Sequence, residues 1–255
     1  MDRGLLAKLE MRVKMEEGDR KLGFQNSSVF QGALFEQLEK DYADYLHREG
    51  LHPYSMSITS RAEEEAVWTI NTLNAEAYEN IILKFLDKDV SRLYLKKYNA
   101  DVKILGKKLE TSSAEELFED FNEKESSGVF ALTIHSPMAF KQRGHYVAMP
   151  DTRLIYQSLM NKYSSSLESM GFFDEDTLED MSETSCISGF RIKSLSFPLE
   201  GTRISGCVGK IFIKQYGAGT IKRFARYLLT FANFSGIGIK TGMGMGAVTA
   251  QEVQI

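Results

Sequence analysis

The sequence predicts an α+β protein built from two tandem domains of one plan. Two observations carry this. The order strand–helix–strand–strand–helix–strand can be read twice along the 255 residues. Each copy also alternates period-two runs with segments of helical periodicity. That order is the split βαβ, or ferredoxin-like (RRM-like, βαββαβ), arrangement. The N-terminal domain is placed at 1–110, a linker at 111–126 and the C-terminal domain at 127–255. A chain of this length holds one large or two small domains, and 43% hydrophobic residues suit a folded core. The halves share a plan but no visible sequence repeat.

In the first copy, residues 5–15 alternate strictly. Leu5, Ala7, Leu9, Met11, Val13 and Met15 fall on one face, and Lys8, Glu10, Arg12 and Lys14 on the other, as in a half-buried strand. A polar loop with Gly18 and Gly23 follows. Phe30, Leu34, Leu38, Tyr42 and Tyr45 then recur at helical spacing, with Ser27 or Ser28 as the cap and Gly50 and Pro53 stopping the helix near His47. Strands are expected at 54–59 and 65–73, the second holding Trp68. Asn74 caps a helix over 75–86, and a strand over 101–109 closes the unit. In the linker, Ser112 or Ser113 caps a short acidic helix. The second copy has strands at 129–136 and 144–149, and a helix capped by Asp151. An acidic helical insertion at 174–184, a hairpin of 187–198 with 203–214, a helix over 220–233 and a strand at 245–253 complete it.

The net charge of −4 hides an asymmetry. Residues 185–255 hold nine Lys or Arg (Arg191, Lys193, Arg203, Lys210, Lys214, Lys222, Arg223, Arg226, Lys240) against Glu200 and Glu252, so this region carries +7 and the rest −11. A basic region in an acidic chain is the footprint of polyanion binding by one face. Cys186 and Cys207 form neither metal-ligand spacing nor a disulfide framework. No apolar run approaches the ~18 residues of a membrane span, and Met1-Asp2-Arg3-Gly4 lacks a secretory signal. A cytoplasmic protein with no membrane partner is expected.

The stretch 234–246, Phe-Ser-Gly-Ile-Gly-Ile-Lys-Thr-Gly-Met-Gly-Met-Gly, sets Gly236, Gly238, Gly242, Gly244 and Gly246 around Lys240. Glycines permit positive φ and close backbone approach, and successive N–H groups in such a loop can converge on an anion. A nucleotide P-loop is excluded, because Ile239 precedes Lys240 and the loop runs from a helical pattern into a strand rather than the reverse. A phosphate-backbone cradle or a tight, glycine-lined turn both fit.

The run Gly-Ile-Gly-Ile-Lys-Thr-Gly-Met-Gly-Met-Gly resembles the glycine-rich signature of the RAMP superfamily. More narrowly, it resembles the CRISPR-associated endoribonuclease that cuts precursor CRISPR RNA within its repeats. Further matches are Gln31-Gly32-Ala33-Leu34, Asp44-Tyr45-Leu46-His47, Ser136-Pro137 with Phe140-Lys141, and Leu228-Leu229-Thr230-Phe231. The resemblance also implies two ferredoxin-like domains and an RNA substrate. It implies metal-independent cleavage by the RNA's own 2′-hydroxyl, giving 2′,3′-cyclic phosphate and 5′-hydroxyl ends, with no cofactor. A homodimer and a transient contact with a CRISPR effector complex are further partners compatible with it. A non-catalytic RAMP subunit of a ribonucleoprotein is the alternative. A generic RRM-type single-strand binder would need an aromatic strand motif that the chain lacks.

Of the four histidines, His135 in an apolar strand and His145 in a hairpin read as structural or surface residues. His47 and His52 are spaced i, i+5, not the i, i+4 of two ligands on one helix face, so no metal site is expected. By spacing alone His47 is a residue closing a helix, where a cation suits the dipole. The resemblance makes it the general acid–base histidine, since imidazole can move protons at neutral pH. Some relatives carry a tyrosine where Phe35 stands and a lysine near His52-Pro53, which would stabilise charge on phosphate. Here His52 replaces that lysine, or Lys14, Lys21 or Lys141 reaches in. By resemblance, Lys141 and Arg143 contact the RNA backbone. Arg191, Lys193 and Arg203 lie on the hairpin expected to track a phosphate strand, and Gly236, Gly238, Lys240, Gly242, Gly244 and Gly246 form the loop.

Overall fold

The computed structural model describes residues 4–17, 20–48, 50–61, 64–167, 174–199 and 201–254; Gly18, expected in the first loop, lies outside them. Strand β1 (Leu5–Met15) is followed by helices α1 (Ser27–Phe35) and α2 (Lys40–His47), then β2 (Tyr54–Ser60) and β3 (Glu65–Thr72). Next come helix α3, made of three consecutive pieces (Ala75–Ala77, Tyr78–Ile82, Leu83–Leu86), and strands β4 (Arg92–Leu95) and β5 (Ala100–Ser113). These strands form one antiparallel sheet in the order β2-β3-β1-β5-β4. The alternation in β1 is realised: Ala7, Leu9, Met11 and Val13 are fully buried against the helices. Trp68 is fully buried between the rings of Phe30 (5.2 Å) and Phe85 (5.1 Å), joining sheet, α1 and α3.

Two expectations for this half are corrected. The helix over 27–47 is broken at 36–39 into α1 and α2. The expected apolar residues sit at strict i+4 spacing from Phe30 to Tyr42. At about 100° per residue, such a row drifts about 40° per step, so one straight helix would rotate its later members off the core. The break resets the face: Tyr42 and Leu46 are buried, while Tyr45 is 44% exposed. Ser27 and Ser28 are not caps, because a 3₁₀ turn (Phe24–Asn26) precedes α1 and the Gly23 N–H donates to Asn26 Oδ1 instead. Strand β4 was not expected. Asn74 does cap α3, its Oδ1 accepting from Ala77 N at 2.8 Å.

Helix α4 (Ala114–Glu123) follows β5 directly, with Ser113 and Glu116 forming a reciprocal cap. Strands β6 (Val129–Met138), β7 (Phe140–Gln142) and β8 (His145–Val147) come next, then α5 (Thr152–Ser166), α6 (Glu175–Glu183), β9 (Ser185–Leu199), β10 (Thr202–Gln215), α7 (Gly219–Ser235) and β11 (Val248–Glu252). The second sheet has the order β11-β6-β10-β9. The expected strand at 144–149 is corrected to the short β8, which pairs only with β7 in a separate ribbon. Its turn places Arg143 and Gly144 at positive φ, the geometry of a tight hairpin. The last strand begins at Val248, because Met245 and Gly246 belong to the loop before it.

The two halves pack directly. Leu6 and Leu73 from the first join the buried core of the second, Phe24 stacks on Phe197 at 6.1 Å, and Ser55 Oγ donates to Phe234 O at 2.5 Å. Among the described residues no helix is long and apolar enough to cross a membrane. Trp68→Ala should cost about 3–5 kcal/mol of unfolding free energy, measured by chemical denaturation; a loss below about 1 kcal/mol would mean that this aromatic junction does not hold the first sheet to its helices.

Candidate active site at the glycine-rich loop

The loop between α7 and β11 is folded on itself. Ile237 N donates to Gly246 O (2.9 Å), Gly246 N to Pro137 O (3.0 Å) and Ile239 N to Ala139 O (2.9 Å). Lys240 lies in the left-handed region (φ 56°), and its carbonyl accepts from Met243 N and Met245 N. This closes the tip as a 3₁₀ turn, Thr241–Met243. Among the described residues the N–H groups of Lys240, Thr241 and Gly242 have no hydrogen-bond partner, whereas neighbouring loop amides are bonded. Three consecutive donors at the start of this turn thus lack the partner that a backbone N–H ordinarily has.

The glycines serve packing. A Cβ on Gly236 would lie 2.9 Å from Gly246 O; on Gly238 it would overlap Ala139 O, and on Gly246 it would overlap Ile237 O. On Gly242 it would lie 3.1 Å from Tyr54 Cζ, and on Gly244 it would overlap the Ser27 side chain. Every one of these directions points into protein. The glycines therefore make the tight turn, and the N–H groups of 240–242 are left without a partner among the described residues.

The tip docks on α1 and β2 of the first half. His47 is the last residue of α2, exposed, with its ring 4.6 Å from that of Phe35. His52 is half-buried, its ring 6.0 Å from that of Tyr54. Burial, then the Lys240 charge, then His47 hold His52 below the usual histidine range. The charges of Lys240 and His47 thus both act on His52. Tyr54 is buried; burial pushes its hydroxyl up to about 12, and that hydroxyl accepts from Gln31 Nε2 at 3.0 Å.

Lys240 is a cation whose charge acts on His52. Lys14 pairs with Glu64 at 3.4 Å, and Lys141 is exposed on the β7–β8 ribbon with Arg143. That ribbon leaves the chain at Ala139, beneath the loop. Arg203 neighbours Ile204, which is buried with Ala139, Phe197 and Met245 under the loop. Arg191 and Lys193 lie further along β9, opposite Lys210 and Val208, and are exposed. Arg223 and Arg226 are not free for a ligand. Arg223 pairs with Glu125 at 3.2 Å, and Arg226 donates to the carbonyls of Asp120, Lys124 and Glu125. His135 bonds Thr249 Oγ1 at 2.8 Å, and His145 sits in the ribbon. Tyr54 was not anticipated: its position opening a strand looks like any other core aromatic. Gln31 belongs to the Gln-Gly-Ala-Leu match, but nothing in its spacing marked a role.

A family profile described as CRISPR-associated endoribonuclease Cas6 matches residues 132–248. A CRISPR-associated endoribonuclease Cas6 of Streptococcus thermophilus is 36% identical over 224 residues, covering 88% of this chain and 90% of that protein. One of Mycobacterium tuberculosis is 30% identical over 220 residues, covering 86% and 70%. A solved Cas6 product complex superposes with a TM-score of 0.82 at 21% identity, covering 97% of this chain and all of that one. A Cas6 of Thermus thermophilus does so at 0.75 and 16%, covering 98% and 100%; both show the shared fold. With its two ferredoxin-like sheets and a relative this similar over nine-tenths of its length, the chain belongs to the CRISPR-associated endoribonuclease Cas6 family.

Proposed function

We propose that this Cas6-family endoribonuclease cleaves precursor CRISPR RNA within its repeats, without a metal, by attack of the 2′-hydroxyl on the adjacent phosphate. The carrying observation is the convergence of His47, His52, Lys240 and three free amides at the contact between the halves. In this reading residues 1–110 supply the histidines, 127–255 supply the loop, and 111–126 join them. His52, held neutral by burial and by Lys240, takes the 2′-hydroxyl proton. His47, at the carbonyl end of α2 where positive charge is favoured, gives a proton to the departing 5′-oxygen. Lys240 and the tip amides stabilise charge on the phosphoryl oxygens. The bond formed is 2′-O–P and the bond broken is P–5′-O, so the products are a 2′,3′-cyclic phosphate and a 5′-hydroxyl. Lys141, Arg143, Arg191, Lys193 and Arg203 supply contacts to the RNA backbone.

Mapping cuts in synthetic repeat RNAs tests this. His47→Ala should lose about 10²–10⁴-fold in single-turnover rate while keeping RNA affinity. A 2′-deoxy nucleotide 5′ to the scissile phosphate should abolish cutting but not binding, and a chelator should change neither. Full activity of the variant, cleavage of the deoxy substrate, or a requirement for a divalent ion would each defeat the mechanism.

The pH profile gives a second check. A base must be neutral to act, so its activity falls as pH drops through its pKa. His52 lies below the ordinary 6.5, so the acid limb of the rate profile should lie below 6.5 too. Lys240→Met removes one cause of the lowering and should move that limb to higher pH. An unmoved limb would take the base role away from His52.

Affinity should also fall linearly in log–log terms with salt, with a slope near −0.7 per phosphate neutralised on a single strand. A flat response in a binding titration would show that the exposed lysines and arginines do not meet the RNA backbone.

A further inference from the structure

Helix α5 contains a lysine that the mechanism does not use. Lys162 is 3% exposed, and the residues around it on α5, Ile155, Leu159 and Tyr163, belong to the apolar core. Burying a cation away from water is costly unless its donors are satisfied. Its Nζ donates to Ser235 O at 3.2 Å and Gly236 O at 3.0 Å, the carbonyls where α7 ends and the glycine-rich loop begins. One turn earlier on α5, Ser158 Oγ accepts from Gly238 N at 2.8 Å. Residues i and i+4 share a helix face, so Ser158 and Lys162 act as two teeth gripping 235–238.

We propose that Ser158 and Lys162 are positioning residues for the RNA site: they fix the base of the glycine-rich loop, and through it the placement of Lys240 and the tip amides. The proposal rests on the catalytic reading above.

The loop stands between two walls. On the β6 side it is held by main-chain carbonyls of Pro137 and Ala139 and by Ser136 Oγ, which accepts from Ala247 N at 3.0 Å. On the α5 side it is held by these two side chains. Satisfying the loop's backbone does not by itself need a lysine, because Ser235 Oγ already donates to Gly236 O at 2.9 Å. Core packing does not need one either; an unbranched apolar side chain of equal length would fill the same space. What the ammonium adds is a directed grip on two adjacent carbonyls at the negative end of α7. Burial pushes Lys162 down to about 7, so the charge is held at a cost to stability. The sign follows from linkage: at and below pH 7 the buried ammonium is charged and unfavourable, and between about 7 and 10.5 the unfolded chain binds the extra proton, so stability rises with pH there.

Lys162→Met keeps the length and removes charge and donors; Ser158→Ala removes the other tooth. In the full chain, Lys162→Met should leave Tm unchanged or raise it, because an unpaired buried charge is gone. Hydrogen exchange at Ile237, Gly238, Ile239 and Gly246 should quicken about tenfold or more. Affinity for a repeat RNA made uncleavable by 2′-deoxy substitution, and the single-turnover rate on cleavable RNA, should each fall about tenfold to hundredfold. Ser158→Ala should do the same to a smaller degree. Loop exchange unchanged in both variants would overturn the proposal. So would losses that follow a lowered Tm, since those would mark Lys162 as core support alone. If the wild-type chain neither binds nor cuts repeat RNA, the catalytic reading fails, while loop exchange still decides whether the two residues set the loop.

Discussion

The contact that the rest of the site depends on is the close approach of Gly242 to Tyr54 and of Gly244 to Ser27. There is no space for a Cβ on Gly244 and almost none on Gly242. The second half of the chain can therefore seat its loop on α1 and β2 of the first half only with glycine at these places. The seating brings the charge of Lys240 to bear on His52, and the N–H groups of 240–242 are without a hydrogen-bond partner among the described residues. A side chain at Gly244 or Gly246 would unmake the loop, or part the halves, before it met RNA. Two other links hold the same junction: Ser55 Oγ to Phe234 O, and the stack of Phe24 on Phe197. In the proposed reading the active site is thus a property of the interface, and neither half contains it alone.

This explains what the sequence could and could not say. The alternating run 5–15 specified β1, because period two with one buried face has one solution. Asn74 and Asp151 announced their helices, since a capping side chain acts within three residues of itself. The break in 27–47 was invisible because i+4 spacing looks helical at every step, and its cumulative rotation matters only against a fixed core. The ribbon β7–β8 and strand β4 are short, and their pairing depends on partners rather than on composition. Lys240 was legible as a loop cation, but not as the neighbour of His52, 188 positions earlier in the numbering. Tyr54 carried no motif signal, and Gln31, though part of the Gln-Gly-Ala-Leu match, had nothing beside it to mark a role. The basic count over 185–255 overstated the surface charge, because Arg223 and Arg226 tie α7 to α4 and the segment after it.

The electrostatics of the site follow from that arrangement. Both charges acting on His52 are positive or potentially positive, Lys240 and His47. Among the described residues no carboxylate is a cause of the His52 shift, and in the proposed mechanism His52 serves the free enzyme as the acceptor of protons. In that mechanism, a phosphate entering between Lys240 and the tip amides brings the missing negative charge. It counters the field of Lys240 at His52 and makes the imidazolium easier to hold, as required when a proton leaves the 2′-hydroxyl. A fixed carboxylate would have supplied that negative charge before substrate arrived. It would have protonated His52 in the free enzyme and repelled the phosphate as well. Leaving the counter-charge to the RNA makes the substrate part of the acid–base machinery. It also explains why the lysine beside the histidines belongs on a loop held rigidly from beneath: its field at His52 varies with their separation, and a mobile loop would blur the difference between the free and the loaded site.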